Sequence, residues 1–440
     1  MNDASNADAA VAWLRQVSPY FRRHRGKTFV VYLDGVVIAE SGLSNVIRDL
    51  VLLASVGIRL VVVFGARPQI DARLLELQIE TQVVGELRAS NREAMDAVRD
   101  VAGSLRLTIE ALFSSAGSSV GGGATPARVA GGNLVIARPA GVIAGVDLMF
   151  TGVVRSIDRP AIESRLGNGE IVLLPPVGFS PTGELYNLRA ADLAAAVAVE
   201  LKAAKLLLVC NADGICGEDG VLRRQLTLKE AREMRELQVR GSENSELLEL
   251  SARACQLGVE RVHIVNHAVD GVLLRELFTR DGVGTLVSSA PFDQLRGAKV
   301  DDVAGILALI APLEESGVLV RRSREKLESE IDSFLVMVRD NTVVACGALL
   351  EVSGADSAEV ACIAVHPDYR GSQFGDLLLD ELEQRAQDRG QKQVFVLTTQ
   401  AAQWFSERGY TAAGPDSLPR ERRALYNAER NSSVLIKTLS

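Results

Sequence analysis

The chain has 440 residues, 47% of them apolar, and a formal net charge of −8. That length exceeds what one hydrophobic core usually holds, so two or three domains are expected, and the acidic balance speaks against a nucleic-acid-binding protein. Five cysteines spread over so long a chain make no disulfide framework, and four histidines leave little for a metal site.

Cys210 and Cys216, in CNADGIC, have neither zinc-finger nor C-x-x-C spacing, which favours buried thiols in a reducing compartment. The opening MNDASNADAA lacks the basic start and apolar core of a secretory signal. The longest apolar stretch, around Leu50 to Phe64, is interrupted by Arg59. A cytoplasmic protein with no membrane segment is expected.

Residues 9 to 23 have the spacing of an amphipathic helix, with Val11, Leu14, Val17 and Phe21 at steps of three and four and Trp13 nearby. Such a helix either docks on its own domain or packs against another subunit. TFVVYLDGVVIAE then reads as a strand, Ser44 to Ser55 as a helix, and IRLVVVFGARPQI as a second buried strand that breaks into a turn before another helix. The alternation continues through GEIVLLPPVGFS, a helix around Ala191 to Lys202, KLLLVCNADGI, a helix near Ser245 to Gln256, and VERVHIVN. It predicts an α/β domain with a mostly parallel sheet and helices on both faces. The glycines at 121 to 123 and 131 to 132 have no following Gly-Lys-Ser/Thr, so they mark a hairpin rather than a nucleotide P-loop.

This domain spans 25–288 after an arm at 1–24, and the polar segment 289–295 reads as a linker. From 296 to 440 the order changes to runs of strands between fewer helices, an α+β unit of ordinary domain size. Within it, ACIAVHPDYRGSQFGDLLLDELEQRA passes from an apolar strand through a turn containing Arg370, Gly371 and Gly375 into an amphipathic helix with Leu377, Leu378, Leu382 and Ala386 on one face. A strand-to-helix turn aims unpaired N–H groups in one direction, and the helix dipole adds partial positive charge there. The glycines let backbone approach a ligand, and Arg370 can set a guanidinium beside it. The segment is a candidate anion cradle.

That segment resembles the coenzyme A-binding motif of the GNAT N-acetyltransferase superfamily, Arg/Gln-x-x-Gly-x-Gly/Ala after V-x-P-x-Y-R, with Gln373 in place of the middle glycine. Downstream, VLTTQAAQWFSERGYTAAGPDSLPRERRALYNAERNSSVLIKTL resembles the carboxyl end of the bacterial N-acetylglutamate synthase family, and PLEESGVLVRRSREKLE resembles the start of its transferase domain. SPYFRRHRGKTFVVYLDGVV and VVVFGARPQID resemble arginine-sensitive N-acetylglutamate kinases, so the likeness covers nearly the whole chain. It implies an amino-acid-kinase-like domain followed by a GNAT domain.

Residue types in the kinase-like domain speak against phosphoryl transfer. Tyr32 stands where the kinases carry a lysine in V-I-K-x-G-G, and Asp34 replaces the first glycine. A positive group is lost and a carboxylate gained where phosphate charge would have to be neutralised. Side chains also enter the second glycine turn, Gly65-Ala66-Arg67, and no lysine lies between Lys229 and Lys299. Arg88 and Asn187 match positions that hold N-acetylglutamate in the kinases, with structural retention as the default here. Tyr20, Glu276 and Gly282 match residues lining the arginine site of the arginine-sensitive kinases, and a carboxylate suits a guanidinium.

For the second domain the resemblance implies acetyl-CoA as co-substrate, no metal, and acetyl transfer to the α-amine of L-glutamate, the entry step of arginine synthesis, with L-arginine as feedback inhibitor. Glu359 matches the proposed general base, acting through water, and Thr398 or Tyr426 could assist the departing thiolate. The backbone of Cys362, Ile363 and Val365 would pair with the pantetheine arm, and Arg370, Gly371, Ser372, Gln373, Phe374 and Gly375 would hold the pyrophosphate. Val320, Arg322, Cys362, Arg430 and Ser432 match the family's glutamate-binding positions, with Arg321 and Arg324 close enough to exchange with Arg322. Direct attack by the amine leaves no need for Cys362 as a nucleophile, and a cysteine in an apolar strand is ordinarily inert. Two alternatives stay open at this level: an active N-acetylglutamate kinase with an appended transferase module, and a non-catalytic arginine-binding regulator. The amino-terminal stripe also suggests a homo-oligomer, a hexamer by likeness to kinases that interlace this helix.

Overall fold

The computed structural model describes residues 2–439 apart from 41, 121–126, 240, 280–281, 290–292, 340–341, 353, 372 and 428–429. Ser372 and the hairpin expected at 121–123 therefore lie outside the described residues. The chain forms two compact units, Met1–Ala290 and Pro291–Ser440. Among the described residues no helix is long and apolar enough to cross a membrane.

The first unit is built on an eight-stranded sheet. At its centre Thr28–Leu33 pairs in parallel with Arg59–Phe64 on one side and Lys205–Cys210 on the other. All six residues of Thr28–Leu33 are buried. Phe29, Val31 and Leu33 enter one apolar cluster while Val30 and Tyr32 enter the other. A strand with both faces covered has no polar side, which is why TFVVYL reads as a continuous apolar run. One departure from parallel pairing is the antiparallel junction of Arg261–Asn266 with Thr285–Ser288. A separate four-stranded sheet of Val135–Pro139, Gly152–Ile157, Val177–Phe179 and Leu185–Asn187 completes the unit.

The helix Asn2–His24 is used in two ways. Val17 is fully buried, Tyr20 and Phe21 pack on the core, and Phe21 meets Phe278 edge-on with centroids 4.9 Å apart. Val11, Trp13 and Leu14, earlier on the same helix, stay exposed within the single chain.

The second unit has a seven-stranded sheet in the order Asp293–Gly297, Phe334–Arg339, Thr342–Glu351, Ser357–Val365, Gln393–Thr398, Ser433–Thr438, Thr411–Ala413. Alternation along Phe334–Arg339 divides its faces. Phe334, Val336 and Val338 join the cluster of helix Val303–Glu315, and Leu335 and Met337 join that of helix Phe374–Asp388. The linker expected at 289–295 is shorter than the composition suggested, because Asp293–Gly297 pairs antiparallel with Phe334–Arg339 as an edge strand. Its polarity is that of an exposed edge rather than of a connector. On helix Phe374–Asp388 the buried stripe runs through Leu378, Leu379, Leu382 and Ala386, while Leu377, placed on the apolar face by spacing, is exposed.

Candidate active site

The sheet of the second unit opens at Glu359. Ser357–Val365 and Gln393–Thr398 are its parallel pair, and their register holds for three positions only: Ser357 with Gln393, Ala358 with Val394, Glu359 with Phe395. Beyond Glu359 the strands part. Gln393–Thr398 keeps its full antiparallel ladder with Ser433–Thr438, and the other strand stays paired with Thr342–Glu351. One edge of residues 360–365 thus faces a wedge between two strands, where backbone groups need a partner from outside the ladder. An extended, amide-containing chain supplies such a partner, as an added strand does.

The same strand carries a bulge inside the wedge. Its register against Thr342–Glu351 shifts between Cys346 and Ala348, so that Cys362 and Ile363 together face Gly347. Cys362 takes a left-handed backbone, φ 55°. Ile363 turns towards helix Phe374–Asp388, and Cys362 towards the opposite face.

At the strand's end the chain makes a short turn, Pro367–Tyr369, then Arg370 and Gly371 at φ 90°, and enters helix Phe374–Asp388 through Gln373. Gln373 caps the helix with φ 62° and ψ 7°, the left-handed geometry that favours glycine. The turn keeps its form although the side chain departs from the motif. Gly375 differs from expectation. A Cβ there would lie 3.2 Å from Trp404 Cζ2 and 3.8 Å from Val365 Cγ2, so its missing side chain admits the indole rather than a ligand. Arg408 fixes that indole by stacking over its ring, 4.0 Å to the centroid, and pairs with Asp376 in the helix's first turn.

Glu359 sits at the fork, with the whole residue 8% exposed. Sequence reasoning named it but missed its partner. Arg422, from the short helix Arg420–Ala424, donates Nε to Oε2 at 2.5 Å and Nη2 to Oε1 at 3.1 Å. The demand for a cation was legible, since a carboxylate in the middle of a buried strand requires one. Which of the arginines in RERR supplies it was not. Thr398 ends the strand across the wedge. Its Oγ1 accepts from Ala401 N at 3.0 Å and Gln400 N at 3.4 Å, leaving the hydroxyl proton to be donated elsewhere. Tyr426 spends its hydroxyl on the Ser432 carbonyl, 2.9 Å away.

The arginines expected to hold a dicarboxylate come from two segments that the fold joins. Arg430 Nη2 donates to the carbonyls of Val318 at 2.5 Å and Gly317 at 3.4 Å, tying the carboxyl-terminal loop to the one bearing Val320 and Arg322. Ser432 is buried and Val320 exposed. Arg322 donates Nη1 to Glu330 at 2.9 Å, and its backbone N–H is received by Glu314 at 2.9 Å. The guanidinium also reaches towards Cys362. A hydrogen bond with Cys346, and then the charge of Arg322, hold the Cys362 thiol below its ordinary value, although burial and Glu314 oppose them.

Comparison with known proteins matches residues 27–266 to the amino acid kinase family and residues 305–410 to the acetyltransferase (GNAT) family. An amino-acid acetyltransferase of Azotobacter vinelandii is 48% identical over 98% of this chain and 99% of its own. The chain belongs to the amino-acid acetyltransferase family. Crystal structures of N-acetylglutamate synthase from Neisseria gonorrhoeae agree: a complex with coenzyme A and L-arginine is 36% identical with a TM-score of 0.90, and one with coenzyme A and N-acetyl-glutamate is 37% identical with a TM-score of 0.63. Each covers 98% of this chain and 99% of the solved one.

In this acetyltransferase the kinase-like unit retains a cavity of about 250 Å³ lined by Tyr32, Asp34, Arg67, Arg88, Asn187 and Glu243 among others. Asp34 closes its anion-binding corner from within. One carboxylate oxygen accepts from Tyr32 Oη at 2.8 Å, and the other caps helix Gly35–Ala39 by accepting from Val36 N at 2.9 Å. A helix terminus that would attract phosphate is thereby occupied by a fixed negative charge. Burial, and then the charge of Asp34, raise the carboxyl of Glu243. Arg88 is taken up by Asp71 and by Thr81 at 2.6 Å, and Asn187 by Ser90 at 3.2 Å.

Glu276 lies in helix Val272–Phe278 and is 7% exposed. Its Oε1 accepts from His263 Nδ1 at 2.6 Å, and its Oε2 from Val283 N at 2.7 Å and Gly284 N at 3.0 Å. Gly282 presses against it, since a Cβ there would lie 2.5 Å from Oε2, and the residue needs φ 63°. On its far side His263 meets Lys205 Nζ at 2.9 Å, which fixes the ring as a neutral donor to Glu276. Burial, and then the charge of Lys205, push His263 down to about 4. Burial alone would raise Glu276, but the bond from His263 and those from the two backbone N–H groups bring it down to about 2. Tyr20 is on helix Asn2–His24, which docks beside Phe278 on the same helix as Glu276. The structure thus joins Glu276 to Gly282, with His263 and Lys205 as members that sequence reasoning missed.

Proposed function

We infer that this chain transfers the acetyl group of acetyl-CoA to the α-amine of L-glutamate, giving N-acetyl-L-glutamate and free coenzyme A, and that L-arginine bound to the first unit inhibits it. The observation that carries the reading is the wedge opening at Glu359, followed by a turn that carries Arg370 and enters helix Phe374–Asp388 with no side-chain cap from Gln373. A pantetheine arm fits the one as an added strand and a pyrophosphate the other. Backbone of Cys362, Ile363 and Val365 receives the arm. Arg370, Gly371, Gln373 and the backbone of Phe374 receive the phosphates, while Gly375 serves the turn by admitting Trp404.

The amine attacks the thioester carbonyl, the N–C bond forms, the C–S bond breaks, and the thiolate leaves. Glu359 accepts the ammonium proton through water. Arg422 occupies one lone pair on each of its oxygens, at 2.5 and 3.1 Å, which leaves a further pair on each to accept from water. Thr398, whose oxygen is satisfied by backbone donors, has a proton to direct at the leaving sulfur. Tyr426 is the poorer donor because its hydroxyl is engaged by Ser432. Arg322 and Arg430 receive the two carboxylates, with Val320, Cys362 and Ser432 around them.

For arginine, Glu276 is the anchor, lined by Gly282, with Tyr20 at the edge. A guanidinium entering here exchanges for the bonds from His263, Val283 and Gly284, so binding and loop rearrangement are coupled. A second copy of the chain covers Val11, Trp13 and Leu14, and repetition of that contact builds a hexamer. Light scattering on a Val11→Asp/Leu14→Asp variant should return a smaller particle than the unaltered chain; an unchanged mass would exclude this contact. The function is tested by thiol release from acetyl-CoA across a panel of amino acids. Release specific to glutamate, slowed by arginine and insensitive to arginine in Glu276→Gln, is expected. Release with every amine or none would overturn it.

A further inference from the structure

Four of the five cysteines play no part in this reading, and Cys362 enters it only through its backbone. The bulge that turns Cys362 into a left-handed conformation also aims its side chain at the face that carries Cys346. The two lie one position apart across the ladder, Cys346 being registered with Ala364 and Ala348 with Ala361. Cys346 reaches back with its Sγ to the Cys362 carbonyl at 3.6 Å.

Their surroundings differ in a way that assigns roles. Cys362 keeps 8% exposure at the wedge, beside the Arg322 guanidinium, whereas Cys346 is fully buried. Cys346 gives its S–H to the Cys362 carbonyl, and its contact with Cys362 and burial raise its thiol. Cys210 and Cys255, buried with their sulfurs bonded to backbone carbonyls, are pushed by burial to about 12 and about 11. A thiol that faces a cation and has a second thiol within reach combines two features of an oxidisable site.

We propose that Cys362 and Cys346 are a peroxide-oxidisable thiol pair, and that their disulfide closes the acetyl-transfer site. Cys362 sulfur attacks one oxygen of hydrogen peroxide, the O–O bond breaks, and the departing hydroxide takes a proton to become water. Cys346 sulfur then displaces the hydroxyl of the resulting sulfenic acid, and its own proton leaves with that oxygen as a second water. One peroxide is reduced and two thiols are oxidised. The new bond draws the bulge inward, away from Arg322 and from the line of backbone groups in the wedge. The loss of activity rests on the function proposed above; the chemistry of the two sulfurs does not.

The test treats the full-length reduced protein with hydrogen peroxide and reads peptide masses and acetyl transfer in parallel. A Cys346–Cys362 linked peptide lacking two hydrogens should appear as activity falls by about 10²-fold, the scale of a small displacement of reacting groups, and both should reverse with dithiothreitol. Acetyl-CoA with glutamate should slow the linkage. In Cys346→Ser the link cannot form, so Cys362 should gain oxygen and inactivation should no longer reverse; Cys216→Ser should behave as the unaltered chain. Oxidation confined to Cys216, or inactivation without the link, overturns the proposal. A link without loss of activity overturns its regulatory part. A protein that links its thiols but never releases coenzyme A would instead remove the function proposed above.

Discussion

Two buried carboxylates, one in each unit, are satisfied by opposite means. Glu359 receives a side-chain cation, Arg422, which keeps 24% exposure and comes from a short helix. Glu276 is held by a neutral imidazole and two backbone N–H groups, with Lys205 one step behind. A side-chain cation can swing away and leave a carboxylate free to take a proton. Backbone donors cannot leave without moving the loop that carries them. The first arrangement suits chemistry repeated at every turnover, and the second suits a site whose occupation must reshape its surroundings.

The comparison breaks first at Glu359. Glu359→Gln keeps the shape and can still receive one bond from Arg422, but it cannot accept the ammonium proton. It should lower kcat by about 10²–10⁴-fold, the usual range for a general base, while affinity for acetyl-CoA stays within a few-fold. Steady-state kinetics at saturating acetyl-CoA decide this. A variant with near-normal kcat would show that Glu359 and Arg422 are only a structural pair.

The next largest effect belongs to the other carboxylate and is read against pH. His263 has a folded value near 4 against an ordinary 6.5, so above 6.5 neither folded nor unfolded chain is protonated there and nothing is gained or lost. As pH falls from 6.5 to 4 the unfolded chain takes a proton that the folded one refuses, and stability drops by about 3 kcal/mol. Glu276 has the depressed sign of a stabilising carboxylate: its contribution is full above 4.5 and is lost as pH falls towards 2. The two windows adjoin, so the first unit should weaken continuously on acidification from 6.5. Hydrogen exchange in strand Arg261–Asn266, which carries His263, reads that unit alone. Protection unchanged between pH 7 and 5 would show that His263 is not the neutral link described.

Much of this architecture is legible in the sequence because it depends on local pattern. TFVVYL is apolar throughout because both sheet faces are covered, and RGSQFGDLLLDELEQRA announces a turn into a helix by its change of period. Tyr32 and Asp34 likewise foretell a corner closed to phosphate, and the structure adds that Asp34 caps the helix there. Partner choice across long separations is different. Arg422 is 63 residues from Glu359, and its two neighbours Arg420 and Arg423 have the same local credentials. Gly375 looks like a ligand-facing glycine until Trp404 is placed against it, and the pairing of Cys346 with Cys362 depends on a bulge that no spacing rule reveals. The edge strand at 293–297 begins inside the segment that reads as a linker, because edges and connectors share polarity.

The smallest effect separates the two roles of Arg422. Arg422→Met keeps much of the apolar stem and removes the charge, leaving Glu359 buried at a fork with no cation. A fully enclosed pair would lose about 3–5 kcal/mol on such a change; the guanidinium here is partly exposed, so water screens the loss to about 2 kcal/mol in urea unfolding of the second unit. Adding Glu359→Gln removes the orphaned charge, so the double variant should recover part of that stability while staying as slow as Glu359→Gln alone. Stability then reports the pair and rate reports the base. If the double variant is less stable than Arg422→Met, the guanidinium supports the fork through contacts other than Glu359. The contrast with Glu276 would then lie in where the two donors sit, not in how readily they let go.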